Sequence, residues 1–254
     1  LLAAMDQEDE ALEVLARVPA GDPFTDTADD SRIRLLMATG AKDRALALAE
    51  AALKKPAPSV ADWTRLGDLY GGLDRLADAA DAYGKAIARA RAQGQAEWAL
   101  HLLRGGTLEQ LGRWEEAKAE LETAYKLAPG QAIVLNYLGY AQLERRENID
   151  EAMRLIAEAS KLEPDSPEIT DSLGWAHYLR GDVAAAIPLL ERAVAGEPSD
   201  PAMNEHLGDA YYSAGRRYEA RYAWEAALLS AEDKAAIRLR AKIGEGLTPK
   251  LASP

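Results

Sequence analysis

The three histidines are the side chains of this sequence best suited to acid–base or metal chemistry, and none stands in a recognisable catalytic pattern. His206 has Glu205 and Asp209 within one helical turn, and an imidazole with two carboxylates can bind a metal ion. The same combination is commonplace on a solvated helix, which is where we expect His206 to lie. His101 and His177 fall in positions that hold aromatic side chains elsewhere in the chain, so we interpret both as packing residues.

Other signatures of catalysis are missing from the sequence. Cysteine is absent, which excludes disulfides, thiolate catalysis and cysteine-based zinc sites. There is no His-Glu-x-x-His motif, no phosphate-binding glycine loop and no nucleophile elbow. Carboxylates are abundant, but no pair is singled out for proton transfer. We therefore predict a protein that is not an enzyme, with no catalytic residue, cofactor or metal.

Composition and charge narrow the class of partner. Of the 254 residues, 48% are hydrophobic and 28% charged, which is typical of a folded domain. The formal net charge of −12 repels nucleic acid and favours basic or neutral partners. No apolar run approaches the roughly 18 residues that a membrane span needs. The chain opens at Leu1-Leu2 without a leader, so we expect it to begin inside a longer precursor.

The elements that would position any site repeat every 34 residues. One copy begins at Val60 and carries, in order, Trp63, Leu66-Gly67, Tyr70, Ala79, Tyr83 and Ala86. The copies that begin at Pro167 and Pro201 fill most of these columns with residues of similar size: Leu173-Gly174, His177, Ala186, Leu190 and Ala193, then Leu207-Gly208, Tyr211, Ala220, Trp224 and Ala227. Small columns let helix backbones approach closely, and large columns fill the space between neighbouring units.

The segment Trp63-Thr64-Arg65-Leu66-Gly67-Asp68-Leu69-Tyr70 matches the pattern W-x-x-L-G-x-x-Y. On these residues the chain resembles the tetratricopeptide repeat (TPR) family. The resemblance implies an all-α fold, a right-handed α-α superhelix (TPR solenoid). It would have about six full repeats, a partial N-terminal repeat and a C-terminal capping helix.

Phasing from these anchors divides the chain into repeats. Residues 1–25 would be the end of a truncated preceding repeat. Six units follow at 26–59, 60–97, 98–131, 132–166, 167–200 and 201–234, and 235–254 form a capping helix and tail. The unit 60–97 has about four extra residues near Gln93-Gly94-Gln95, and the unit 132–166 has one extra residue near Arg146-Glu147-Asn148.

In a TPR superhelix the first helix of each unit lines the concave groove, and residues one turn apart form its surface. We predict that aromatic and acidic side chains of the last three units form an exposed binding surface for a protein or extended peptide: Asn136, Tyr140, Leu143, Asp171, Trp175, Tyr178, Glu205, Asp209 and Tyr212. The alternative is that the rings pack between neighbouring first helices. The earlier units, with Asp30, Arg34, Met37 and Asp68 on this face, are expected to contribute less.

The predicted function is that of a protein–protein interaction scaffold or adaptor. Three segments carry a second resemblance: Asp171-Ser172-Leu173-Gly174-Trp175, Arg180-Gly181-Asp182 and His206-Leu207-Gly208-Asp209. On these, residues 130–232 resemble the C-terminal repeats of proteobacterial cell-envelope TPR adaptor lipoproteins, some of which bind a carboxy-terminal processing protease. The resemblance implies such a protease or a cell-wall hydrolase as partner. It also implies a periplasmic location, with outer-membrane anchoring through a missing N-terminus. A cytoplasmic assembly or secretion chaperone and a substrate-recruiting module of a larger enzyme remain alternatives, and self-association is open for each. The groove lacks the Lys and Arg set that grips acidic chaperone tails, so we do not expect that mode of binding.

Overall fold

A computed structural model describes residues 8–19, 21–54, 56–248 and 251, and in this part of the chain all regular structure is α-helical. The all-α prediction is confirmed. The helices are α1 (Glu8–Ala16), α2 (Thr25–Ala38), α3 (Lys42–Ala52), α4 (Val60–Gly72), α5 (Leu76–Ala92), α6 (Trp98–Gln110), α7 (Trp114–Leu127), α8 (Ala132–Glu144), α9 (Ile149–Leu162), α10 (Pro167–Leu179), α11 (Val183–Gly196), α12 (Pro201–Ser213), α13 (Arg217–Ser230) and α14 (Asp233–Glu245). Residues 1–7 and 20 of the predicted N-terminal remnant (1–25), and residues 249–250 and 252–254 of the predicted capping helix and tail (235–254), lie outside the described residues.

The helices group into two compact units, residues 1–127 and residues 128–254. We call them the N-terminal unit (α1–α7) and the C-terminal unit (α8–α14). From α2 to α13, each predicted repeat holds one pair of helices that follow one another along the chain. None of the helices within the described ranges combines the length and apolar character that crossing a bilayer requires.

Close approach within each helix pair depends on the glycine column. A Cβ atom added to Gly67 of α4 would lie 2.5 Å from a ring carbon of Tyr83 on α5, and one added to Gly208 of α12 would lie 2.3 Å from a ring carbon of Trp224 on α13. These separations are far below van der Waals contact, so only glycine lets the aromatic ring of the second helix seat against the first. The repeated glycine therefore determines how closely the two helices of a pair can pack.

The two irregular units differ from the others where the sequence predicts. Helix α5 has 17 residues, whereas α7, α9, α11 and α13 each have 14, so the extra residues of the unit 60–97 add a turn of helix. The turn between α8 and α9 carries the additional residue of its unit. Arg146 and Asn148 adopt positive φ values of 54° and 45° there, and asparagine tolerates this conformation better than most residues.

Helix α14 covers the end of the C-terminal unit, as its amphipathic pattern predicts. Its Leu239 is fully buried in a cluster with Ala220, Trp224 and Ala227 of α13. Gly246 follows the helix with φ +84°, and a Cβ there would lie 2.3 Å from the hydroxyl of Tyr212. Glycine at this position lets the chain turn against α12 without a clash.

Candidate protein-binding faces

The first helices of the C-terminal unit bring the predicted aromatic residues together. The ring of Trp175 on α10 stacks on Tyr178 at 4.7 Å between centroids and on His206 of α12 at 4.1 Å. Tyr140 of α8 approaches His206 at 6.4 Å. Three of the four predicted aromatic residues thus meet around His206, whereas Tyr212 packs against Trp224 of α13 at 5.5 Å between centroids. We call the nine predicted residues the C-terminal inner face.

The expectation that this face is exposed is wrong for five of its nine residues. The structure buries Leu143, Asp171, Trp175, Glu205 and Asp209, with Trp175 and Asp209 at 0% exposure. Neighbouring first helices pack through these positions, as the alternative interpretation expected. Asn136, Tyr140, Tyr178 and Tyr212 remain partly exposed, and the Tyr178 hydroxyl lies 3.1 Å from the Ser213 hydroxyl.

His206 is a buried ion-pair partner and does not lie on a solvated helix. Its Nδ1 lies 2.8 Å from Oδ2 of Asp171 on the preceding first helix. Burial alone would lower the pKa of His206, but the charge and hydrogen bond of Asp171, with the charges of Asp209 and Glu205, raise the pKa above its ordinary value. The imidazole therefore joins two repeats electrostatically and through its stacked ring.

Helix α14 neutralises the acids of the last repeat. Lys242, itself at 0% exposure, donates to Glu205 at 2.6 Å and to both carboxylate oxygens of Asp209 at 2.8 Å. Arg238 donates two hydrogen bonds to the carboxylate of Glu205, at 2.6 and 2.7 Å, in a bidentate ion pair. Trp224 Nε1 donates to Asp209 at 2.9 Å. Glu205 and Asp209 are therefore held inside the protein as counter-ions of the capping helix.

This ion-pair cluster sets the ionisation of Glu205. Burial would raise the pKa of its carboxyl group. The hydrogen bonds and charges of Arg238 and Lys242 outweigh that effect and lower the pKa to about 2. The sequence carried a signal for this role, because Lys242 falls between the apolar Leu239 and Ile243 on the side of the helix that packs inward. A charge on the buried face of a helix requires a partner.

An open cleft lies instead in the N-terminal unit, between α2 and α4. It has a volume of ≈ 430 Å³ and is lined by Asp30, Ile33, Arg34, Met37, Arg65, Asp68 and Leu69. We call these residues the N-terminal cleft. Four of them lie on the inner face that the sequence identifies. The cleft is open, whereas the C-terminal inner face is largely filled.

The charges of the N-terminal cleft are only partly satisfied. Arg65 is buried and contacts Asp30 and, at 3.1 Å, Asp62. Arg34 and Asp68 are exposed, and Arg34 has no ion-pair partner among the residues that the structure describes. The cleft thus offers one cationic and two anionic groups to an incoming molecule.

Asp68 lies on α4 and lines the N-terminal cleft. It accepts a hydrogen bond from the Tyr83 hydroxyl at 2.7 Å. Surrounding protein removes part of its water, and with the nearby charge of Asp30 this raises the pKa of Asp68 above its ordinary value, against the opposing effects of Tyr83 and Arg65. A cation in the cleft would stabilise the ionised form of Asp68, which the cleft otherwise disfavours. Such a cation would therefore bind more tightly to the ionised than to the protonated carboxyl group.

Apolar side chains complete the cleft. Ile33 and Leu69 are buried and Met37 is half-buried, and all three belong to one apolar cluster. Methionine adapts its shape to different ligands. This arrangement complements a ligand that carries an apolar side chain with charged groups next to it.

Comparison with known proteins agrees with this architecture. A family model described as "Tetratricopeptide repeat" matches residues 64–132, 102–167, 138–201 and 172–237. The TPR repeat-containing protein PA4667 of Pseudomonas aeruginosa is 40% identical over 80 residues, which cover 31% of this chain and 14% of that relative. The chain therefore matches only a small part of that longer protein.

Solved structures with the same fold are more distant in sequence. A TPR protein from Parabacteroides merdae superposes with a TM-score of 0.72 at 14% identity, covering 100% of this chain and 95% of the other. YrrB, a TPR protein with an unusual peptide-binding site, gives a TM-score of 0.55 at 18% identity, covering 83% of this chain and 98% of the other. These likenesses concern the fold. By its repeat pattern, its helix pairs and the family match, this chain belongs to the tetratricopeptide repeat family.

Proposed function

We propose that this protein is an adaptor that binds an extended segment of another protein, and that the N-terminal cleft is its binding site. TPR solenoids generally mediate protein–protein interaction and are typically non-catalytic scaffolds. The observation that carries the assignment of the site is the open cleft between α2 and α4, with Arg34 and Asp68 exposed at its edge.

The chemistry of the cleft defines the segment that it would accept. The apolar floor takes one aliphatic or aromatic side chain. Asp30 and Asp68 attract a lysine or arginine beside it, and Arg34 attracts a carboxylate. The net charge of −12 adds a general attraction for basic segments. YrrB, which shares the fold, has a peptide-binding site, and this supports peptide recognition as the mode.

The direct test is peptide selection on the whole chain. We expect a displayed random-peptide library to yield peptides with an apolar residue next to Lys or Arg. Fluorescence anisotropy should then show an affinity loss of at least about tenfold for the variant Arg34→Glu/Asp68→Lys. Asp81→Lys, an exposed charge reversal on α5 outside the cleft, is the control. Equal binding to wild type and the double variant would contradict the assignment.

The C-terminal inner face is a second candidate surface in its partly exposed members, Asn136, Tyr140, Tyr178 and Tyr212. Trp175 and the buried acids would then position these residues without touching the partner. Substituting Trp175 would open a cavity in the core, so Tyr140→Ala is the better surface probe. Loss of peptide binding in Tyr140→Ala, with binding intact in the cleft variant, would move the site to this face.

For the natural partner we propose a carboxy-terminal processing protease or a cell-wall hydrolase, and for the location the periplasm. Support comes from the resemblance of residues 130–232 to envelope TPR adaptors. Affinity capture from envelope and cytoplasmic fractions, using the wild type and the variant Arg34→Glu/Asp68→Lys, tests both points. Specific recovery of cytoplasmic clients alone would favour a chaperone instead.

A further inference from the structure

Helix α13 presents large apolar side chains to solvent on the side opposite its packed face. Tyr218, Tyr222 and Leu229 are 83%, 72% and 88% exposed. At 100° per residue these three positions fall within one narrow stripe. The stripe lies opposite the buried residues Ala220, Ala223, Trp224 and Ala227. We call the exposed positions Tyr218, Tyr222, Glu225 and Leu229 the α13 face.

The repeats themselves show that the fold does not require these side chains. The equivalent positions in the other five second-helix segments are also exposed and hold only alanine, proline or charged residues: Asp43, Ala47 and Lys54; Ala77, Asp81 and Ala88; Glu115, Ala119 and Lys126; Asp150, Arg154 and Lys161; Ala184, Pro188 and Ala195. Two tyrosines and a leucine in the last repeat thus expose apolar area that solubility disfavours. Tyrosine is also enriched where proteins bind one another.

The order of residues along the α13 face identifies its occupant. The four positions are symmetric about a point between Ala223 and Trp224. If a second α13 packs antiparallel across this point, Tyr218 meets Leu229 and Tyr222 meets Glu225, each pair occurring twice. The first pair joins two apolar side chains, and the second joins a phenol donor to a carboxylate acceptor. A surface that complements itself in this way is the signature of a two-fold contact.

The charges near the α13 face allow two acidic chains to approach there. Glu225 is paired with Arg221 on its own helix at 3.0 Å, and Arg217 is exposed beside it. The face is therefore locally neutral or basic, although the chain as a whole carries −12. Salt that screens the general repulsion should strengthen the contact.

We propose that the α13 face is a self-association surface, at which two copies of this chain form an isologous dimer through antiparallel α13 helices. One helix against one helix is a small contact compared with standard interfaces. The dimer is therefore weak and concentration-dependent, and the association adds avidity to an adaptor that binds its partner through a separate site.

Sedimentation equilibrium of the whole chain over a wide concentration series tests the association. We expect a reversible monomer–dimer equilibrium whose association constant rises with salt. It should fall at least about tenfold in Tyr222→Ala/Leu229→Ala, since truncating central aromatic contacts commonly costs that much or more. Leu162→Ala, which removes another exposed apolar side chain, is the control. A chain that stays monomeric throughout, or a dimer that the double variant leaves intact, overturns the proposal.

The arrangement has its own test, because the chain has no cysteine and single cysteines can be introduced cleanly. A mixture of Tyr218→Cys and Leu229→Cys should form a disulfide-linked dimer on mild oxidation, while neither variant alone should do so efficiently. Efficient linkage of either variant to itself, with none in the mixture, contradicts the antiparallel contact. Circular dichroism of each variant confirms that the helices remain folded.

Discussion

Asp68 and Asp209 occupy the same column of two repeats, and the structure uses them in opposite ways. Each follows the glycine of its first helix, and each accepts a hydrogen bond from the aromatic residue fifteen positions later, Tyr83 or Trp224. Asp68 remains exposed at the N-terminal cleft. Asp209 is fully buried because Lys242 of α14 closes over it. The repeat therefore fixes where the carboxylate lies, and the neighbouring helix decides whether it can meet a partner.

The largest expected effect comes from removing the cation that closes the C-terminal face. Lys242→Ala leaves Glu205 and Asp209 buried without their shared partner, which should lower the free energy of unfolding by about 3–5 kcal/mol. Urea denaturation monitored by circular dichroism measures this loss. Lys161→Ala removes an exposed lysine of α9 and should change stability by less than about 0.5 kcal/mol. A loss under about 1 kcal/mol for Lys242→Ala would show that Asp209 is not sealed by α14.

A second, smaller effect tests the close helix packing at the glycine column, which the two repeats share. Gly67→Ala and Gly208→Ala should each destabilise the protein by about 1–3 kcal/mol, because the added methyl group overlaps the ring of Tyr83 or Trp224. Gly71→Ala on the same helix as Gly67 meets nothing within 4 Å. It should be neutral or stabilising by up to about 1 kcal/mol. If all three variants behaved alike, close packing at the glycine column would be excluded as the cause.

The pH dependence of stability tests the buried pair of His206 and Asp171 in the C-terminal unit. The pKa of His206 is raised in the folded state, so its pairing with Asp171 stabilises the fold fully below the unfolded value of 6.5. That contribution is lost as pH rises through the folded pKa, by at most about 1.4 kcal/mol per pH unit. Urea midpoints measured from about pH 6 upward should fall in the wild type and stay flatter in His206→Gln. Parallel curves for the two proteins would contradict this assignment.

The smallest effect on stability is expected at Asp68. In Asp68→Asn the amide oxygen still accepts from Tyr83, and the side chain is exposed, so the free energy of unfolding should change by less than about 0.5 kcal/mol. Binding of a basic peptide should nevertheless weaken severalfold, since the charge is gone. Isothermal titration calorimetry against a selected peptide measures this, and unchanged affinity would remove Asp68 from the proposed site.

The fold could be predicted from the sequence because small and large residues alternate along the chain with the period of the repeat. Gly67, Gly174 and Gly208 recur with large residues at a fixed spacing, and each recurrence reports the same close helix pair. The exposure of the inner face could not be obtained in this way. It depends on which side chain the next first helix places opposite, and this differs between repeats that share every packing column.

A signal for the ion pairs of the inner side was nevertheless present in the sequence. Opposite charges, or an acid and a histidine, recur about one repeat apart: Asp30 with Arg65, Asp171 with His206, and Glu205 with Arg238 and Lys242. Each of these pairs joins the first helix of one repeat to the next first helix or to the capping helix: α2 to α4, α10 to α12 and α12 to α14. Arg34 and Asp68 are also opposite charges one repeat apart, yet both stay exposed at the N-terminal cleft. Repeat spacing of opposite charges therefore finds the ion pairs of the inner side but does not separate the filled face from the open one.

A carboxyl-group NMR titration of the wild-type protein that follows Glu205 and Asp68 together tests the contrast between the two faces most directly. We expect the pKa of Glu205 to be about 2, because the hydrogen bonds and charges of Arg238 and Lys242 outweigh the effect of burial. The pKa of Asp68 should lie above its ordinary value of 3.8, because loss of water around the carboxyl group and the charge of Asp30 outweigh the effects of Tyr83 and Arg65. If Glu205 titrated near 4.5, or if Asp68 were depressed as Glu205 is, the contrast between a sealed C-terminal face and an open N-terminal cleft would be wrong.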